Sequence, residues 1–180
     1  MVNNIGVFCS SYDNIDKVFF EESAKLARWI GTTGRTLVYG GTEMGIMELM
    51  ATETKKHGGC VTGVIPAGLC ETGLLSKIPD KVIKVGGLAE RKETIIELSD
   101  ILIALPGGFG TLDEAFTTIA SNRLGYHNKE VLFCNIAGIF DELSALFDNL
   151  RKQRFAPESY LNCYKVFSSA ESCIDYLERK

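Results

Sequence analysis

The chain of 180 residues is poor in the residues that build metal centres. Its 2 histidines, His57 and His127, lie far apart and have no ligand spacing near either. None of its 6 cysteines forms a CxxC pair. Three sit in or beside the apolar runs "GVFC", "GCVTGV" and "VLFCN", so the set reads as reduced, mostly buried thiols, not as a disulfide frame or a zinc site. No apolar run is long enough to span a bilayer, and the N-terminus leads at once into a strand-like segment with no signal peptide. A cytoplasmic protein without a membrane partner is the expectation. An excess of positive charge is also missing: the formal net charge is −4, which implies no general affinity for nucleic acid polymers. An anionic ligand must then be held by local groups working against the mean field. Repeats, low-complexity tracts and linkers are absent. With 46% apolar and 23% charged residues, the chain suits one domain over 1–180 with a sizeable core.

What is there is alternation. Short apolar runs at 5–9, 36–40, 60–66, 81–85, 100–106 and 130–135 read as strands buried on both faces, and 164–167 offers a seventh. Segments of helical period fall near 15–31, 45–57, 87–98, 111–124, 138–154 and 170–179. This order predicts an α/β fold with a mostly parallel sheet covered on both sides. The least regular stretch, 67–80, is placed to cover a site. Ligands in such sheets sit outside the carboxyl ends of strands, where strand order reverses. The segments after strands are therefore the informative ones: "CSSYD" (9–13), "YGGTEMG" (39–45), "VGGLAERK" (85–92) and "PGGFGTLDE" (106–114).

In the last of these, glycines provide a tight turn with exposed backbone, and Thr111 opens a helix whose first N–H groups are unpaired. A phosphate fits at such a positive helix end. "YGGTEMG" repeats the arrangement, and Gly86-Gly87 adds a third glycine pair; together they favour a ligand bridging strand ends over plain turns. A hydride-transfer site is disfavoured, because the first turn, "CSSYD", has no glycine and Asp113 stands where a third glycine belongs. The lysine of a nucleoside-triphosphate loop is missing too.

Two charged residues carry the chemistry. Thr111-x-x-Glu114 matches a capping box. Helical projection sets Leu112, Phe116 and Ile119 on the core stripe and Glu114 off it, with Thr117, Thr118 and Ser121. Glu114 is thus either a cap or a carboxylate facing a cleft. Arg91 falls on the apolar stripe of Leu88, Ile95 and Leu98, so it either snorkels to water or meets an anion such as a phosphate or Glu114. Lys92 projects elsewhere, towards solvent.

"PGGFGTLDE" matches PGGxGTxxE, and with "RK" at 91–92 it resembles the signature of the LOG ("lonely guy") family, cytokinin riboside 5′-monophosphate phosphoribohydrolases. The resemblance runs from "GVFCSS" through "LVYGGTEMGIM", "GVIP" and "DILIALPGGFGTLDE" to "VLFCN". It implies a Rossmann-like three-layer α/β/α fold with six or seven strands. It implies hydrolysis of the N-glycosidic bond of AMP-like, including N6-substituted, nucleoside 5′-monophosphates, with no metal or other cofactor. It implies that Arg91 and Glu114 are the catalytic pair and that Gly107, Gly108, Gly110 and Thr111 hold the phosphate. Gly40, Gly41 and Thr42 then line the nucleotide site, and Lys92, Phe109 and Asp113 complete the candidate substrate-binding set. It implies a homodimer with the site near the subunit contact. Members were long labelled possible lysine decarboxylases, but no lysine here has the context of a Schiff-base residue.

The chain departs from the family pattern at "FCSSY", at Thr42, Glu43 and Glu48, at Ala89, and at Ser121 and Arg123. These departures fall in segments expected to shape the base pocket and the subunit contact. They leave open a non-catalytic nucleotide sensor or carrier as the alternative.

Overall fold

The computed structural model describes residues 2–69 and 73–180. Cys70 lies outside the described residues. Seven parallel strands form one sheet: β1 (Asn4–Phe8), β2 (Thr36–Tyr39), β3 (Cys60–Pro66), β4 (Lys81–Val85), β5 (Ile101–Ala104), β6 (Val131–Cys134) and β7 (Tyr164–Phe167). Their order is β4-β3-β2-β1-β5-β6-β7. The chain builds outward from β1 to β4, then returns to pair β5 with β1. The direction of winding reverses at that pair, which opens a crevice at the carboxyl ends of β1 and β5.

Among the described residues, six α-helices cover the sheet: α1 (Lys17–Thr32), α2 (Gly45–Lys56), α3 (Leu88–Leu98), α4 (Phe109–Arg123), α5 (Asp141–Lys152) and α6 (Ala170–Glu178). Strand periodicity decides which side chain meets which layer. Ile5 and Val7 of β1 and Ile101 and Ile103 of β5 pack with Leu26, Ile30, Met50 and Leu177 from α1, α2 and α6. Their alternates Phe8, Leu102 and Ala104 pack with Ile95, Ile119 and Phe147 from α3, α4 and α5. Each fully buried large aliphatic contributes roughly 1.5–3 kcal/mol of transfer free energy, so these two layers hold the strand ends, and hence the crevice, in place.

The expectation that every strand is buried on both faces holds for the central strands and fails at the edges. Lys81, Val82 and Lys84 of β4 are exposed. Lysines on an edge strand discourage pairing with another chain. Local caps fix two helix starts: Asp16 accepts from the Val18 N–H at α1, and Ser169 with Ser172 forms a capping box at α6. Cys9, Cys134, Cys163 and Cys173 are buried free thiols, whereas Cys60 is exposed.

Candidate active site

The loop after β5 carries Gly107 and Gly108 into α4. Thr111 does not open this helix. Phe109 does, with Gly108 as N-cap and no side chain bonded to the helix start. The capping box is therefore not formed, and the first amides of α4 keep their hydrogen-bonding capacity for a ligand. The threonine has another task. A Cβ on Gly107 would lie 2.1 Å from Thr111 Oγ1, so Gly107 is the seat of that side chain. Gly108 and Gly110 differ: nothing lies within 4 Å of a Cβ built on either, and both line the cleft. Neither has a positive φ. Protein packing and backbone strain thus give no reason for glycine there, while the close approach of a ligand would.

Glu114 lies on the inward face of α4 with Thr111, Ala115 and Thr118, and is 7% exposed. This corrects its placement off the core stripe. The apolar stripe of the sequence runs through Phe116, which is 39% exposed. Arg91 comes in from α3 at 9% exposure, and its Nη2 is 3.5 Å from Glu114 Oε1. Leu88, placed on the same stripe as Arg91, is exposed at the cleft. Burial pushes the Glu114 carboxyl up to about 7; Arg91 opposes the rise, Asp113 adds to it and Lys92 opposes it. A carboxyl that titrates near neutrality can accept a proton from water and return it. Arg91 Nε is buried without a hydrogen-bond partner.

Lys92 does not run into solvent. Its Nζ lies 2.9 and 2.8 Å from the two Asp113 carboxylate oxygens, and both residues line the cleft. The second glycine loop contributes less directly than its composition suggests. Thr42 lines the cleft, but Gly40 and Gly41 do not. A Cβ on Gly40 would fall on the Arg91 guanidinium, and Gly41 has φ +75° with a Cβ there falling 2.6 Å from Ile65 Cγ1. These two glycines shape the site from behind. Gly86 and Gly87 are likewise absent from the cleft lining; Gly86 donates to Glu90 Oε2 and Gly87 caps α3.

The cleft encloses about 480 Å³, a volume suited to a small organic ligand. Its remaining walls come from three segments. Cys9, Ser10, Ser11 and Tyr12 follow β1, and Met44 and Met47 precede and open α2. Position after a strand was the signal for the first group; nothing in hydropathy distinguishes the two methionines from core. Hydrogen bonds lock these loops together: backbone Ser10 N donates to Pro106 O and Met47 N to Ser10 O, and Gly45 N donates to the Asp13 side-chain Oδ1. The Cys9 thiol is held well above its usual pKa by burial first and by Glu114 second. From the irregular stretch, Leu69 and Leu74 line the cleft, and Thr42 pairs with Leu75 in an antiparallel bridge. Of the departures from the family pattern, Thr42 and the "SSY" residues reach the cleft, whereas Glu43, Glu48, Ala89, Ser121 and Arg123 do not. Arg123 lies over the Tyr160 ring. Among the described residues, no group of three His, Cys, Asp or Glu side chains is arranged to hold a metal ion.

Strand order, parallel pairing and a cleft at the winding reversal define a Rossmann-like three-layer α/β/α protein. A family model described as "Possible lysine decarboxylase" matches residues 47–177. The chain is 36% identical to a probable cytokinin riboside 5′-monophosphate phosphoribohydrolase of Oryza sativa subsp. japonica, over 97% of this chain and 77% of the relative. It is 33% identical to the cytokinin riboside 5′-monophosphate phosphoribohydrolase of Arabidopsis thaliana, over 96% and 75%. The chain belongs to this family, the LOG family. Among solved structures, the molybdenum cofactor binding protein from the phototrophic bacterium Rippkaea orientalis superposes with a TM-score of 0.76 at 25% identity, covering 99% of this chain and 97% of that one.

Proposed function

We propose that this protein hydrolyses the N-glycosidic bond of AMP-like nucleoside 5′-monophosphates, giving free base and ribose 5-phosphate. The observation that carries the proposal is the buried Glu114–Arg91 pair set beside the uncapped tip of α4 in one cleft. The phosphate sits on the α4 amides and beside Lys92, which fixes the ribose over Glu114. As the bond from the anomeric carbon to the base nitrogen breaks, its electron pair leaves with the base. The positive charge that develops on the sugar ring is met by the ionised Glu114. Water adds to the anomeric carbon, its proton passes to Glu114, and that proton then neutralises the departing base. Arg91 orients the carboxylate and holds part of it ionised. Gly108, Phe109, Gly110, Thr111, Thr42, Lys92 and Asp113 form the binding surface around this pair, with Gly40, Gly41 and Gly107, which do not line the cleft, supporting it from behind.

The same family membership and the relatives' names support this reaction. Incubation with a panel of nucleoside monophosphates, read by chromatography of released base, tests it. Saturable binding without base release would instead mark a nucleotide carrier, which needs the cleft but not the buried carboxylate.

We further propose that the chain acts as one cytoplasmic domain and as a homodimer. Among the described residues, no helix is long and apolar enough to cross a membrane, and the buried free thiols suit a reducing compartment. Phe109, 91% exposed, lines the cleft together with exposed Leu88 and supports a subunit contact close to the site. Sedimentation of the wild type and of Phe109→Asp checks it; the variant should run as a monomer.

A further inference from the structure

Among the described residues, the charged groups lining the cleft are Arg91, Lys92, Asp113 and Glu114, two of each sign. Both cations already face a carboxylate, at 3.5 Å for Arg91 and 2.8 Å for Lys92. The two pairs lie at different depths. The Arg91 and Glu114 side chains are 11% and 9% exposed, whereas Asp113 is 61% exposed, with Lys92 at 18% beside it. One pair forms the floor and the other the rim. The positive potential left over comes from the tip of α4, whose dipole is worth about half a charge, and from whatever share of Lys92 a ligand can take from Asp113.

We propose that Asp113, through its two-oxygen grip on Lys92 at the rim, is a specificity-determining residue that restricts the cleft to ligands carrying a single terminal phosphate. This inference rests on the nucleotide function proposed above. With the sugar over the floor pair, a 5′-phosphate occupies the space between the α4 tip and Lys92. A second phosphate must extend from the first towards the rim, where it meets the Asp113 carboxylate. Among the described residues, no further cation lines the cleft to offset that repulsion. The charges of the described lining cancel, so the α4 amides accept one phosphate while Asp113 opposes a second.

The test compares AMP and ADP as substrates, by base release, for the wild type, Asp113→Asn and Asp113→Glu. Inorganic phosphate and pyrophosphate are titrated calorimetrically into the same proteins. Removing one partly exposed charge is worth about fivefold in such a ratio. Asp113→Asn should raise the ADP-to-AMP ratio of kcat/KM, and the pyrophosphate-to-phosphate ratio of affinities, by about that factor. Asp113→Glu should keep the wild-type ratios. A role confined to tying α3 to α4 would change both substrates alike, and that result, or equal ratio shifts in the two variants, overturns the inference. Should the wild type release base from neither nucleotide, the hydrolase proposal fails, and the phosphate and pyrophosphate titrations still decide whether Asp113 selects by charge.

Discussion

The guanidinium of Arg91 fills the space that a side chain on residue 40 would need. Its Nη2 lies 1.9 Å, and its central carbon 2.8 Å, from the position of a Cβ on Gly40. The glycine at the end of β2 is therefore a requirement of the arginine in α3. Gly40→Ala must push Arg91 away from Glu114. Displacement of about 1 Å in a reacting constellation can cost on the order of a hundredfold in rate. The expected outcome is a loss of that size in kcat, and a crystal structure of the variant should show the guanidinium moved.

The three glycines before and in the first turn of α4 should respond differently to alanine. Gly107→Ala collides with Thr111 Oγ1 and its Cβ, and crowds the Ser10 amide. It should lower the melting temperature. Gly108→Ala and Gly110→Ala meet no protein atom within 4 Å, so their melting temperatures should stay near wild type. Their methyl groups enter the space assigned to phosphate, so KM for a nucleoside monophosphate should rise. Thermal unfolding and steady-state kinetics on the three variants separate the effects.

Burial raises the Glu114 carboxyl from its ordinary 4.5 to about 7. The folded chain then binds more protons than the unfolded chain between these two values. The resulting stabilisation is fully present below the unfolded value and is lost as pH rises through the folded one. Denaturant midpoints should fall across this window in the wild type, and Glu114→Gln should flatten that slope. The reaction uses the ionised carboxylate, so kcat/KM should rise with pH through about 7. Arg91→Gln removes the charge that opposes the shift and should move this rising limb to higher pH.

Much of the frame was legible because buried strands write themselves as short apolar runs. Each strand falls within two residues of its expected bounds, and the reversal at β1 and β5 follows once the order is known. The edge character of β4 was hidden, since Val82 and Ile83 look like core until the sheet order leaves them outside. The start of α4 was displaced because Thr111 and Glu114 mimic a cap, whereas Gly108, with no side chain, performs that role. Glu114 is off the stripe that hydropathy marks because, apart from Ile119, the inward face of α4 is made of Thr111, Ala115 and Thr118, small or hydroxylated residues. Arg91 was the more readable partner, since a cation on an apolar stripe needs an explanation. Gly40 shows the opposite case: its role depends on a residue far along the chain, and no local pattern encodes that contact.

The central claim is that the buried carboxylate of Glu114 breaks a glycosidic bond. The most direct measurement is chromatographic detection of free base from AMP and an N6-substituted AMP, with the wild type and Glu114→Gln, alongside nucleotide binding by both. Wild type should release base, and the variant should bind nucleotide yet release base roughly a hundred- to a thousandfold more slowly. Nucleotide binding by the wild type without any base release, or equal release by the two proteins, would contradict the account.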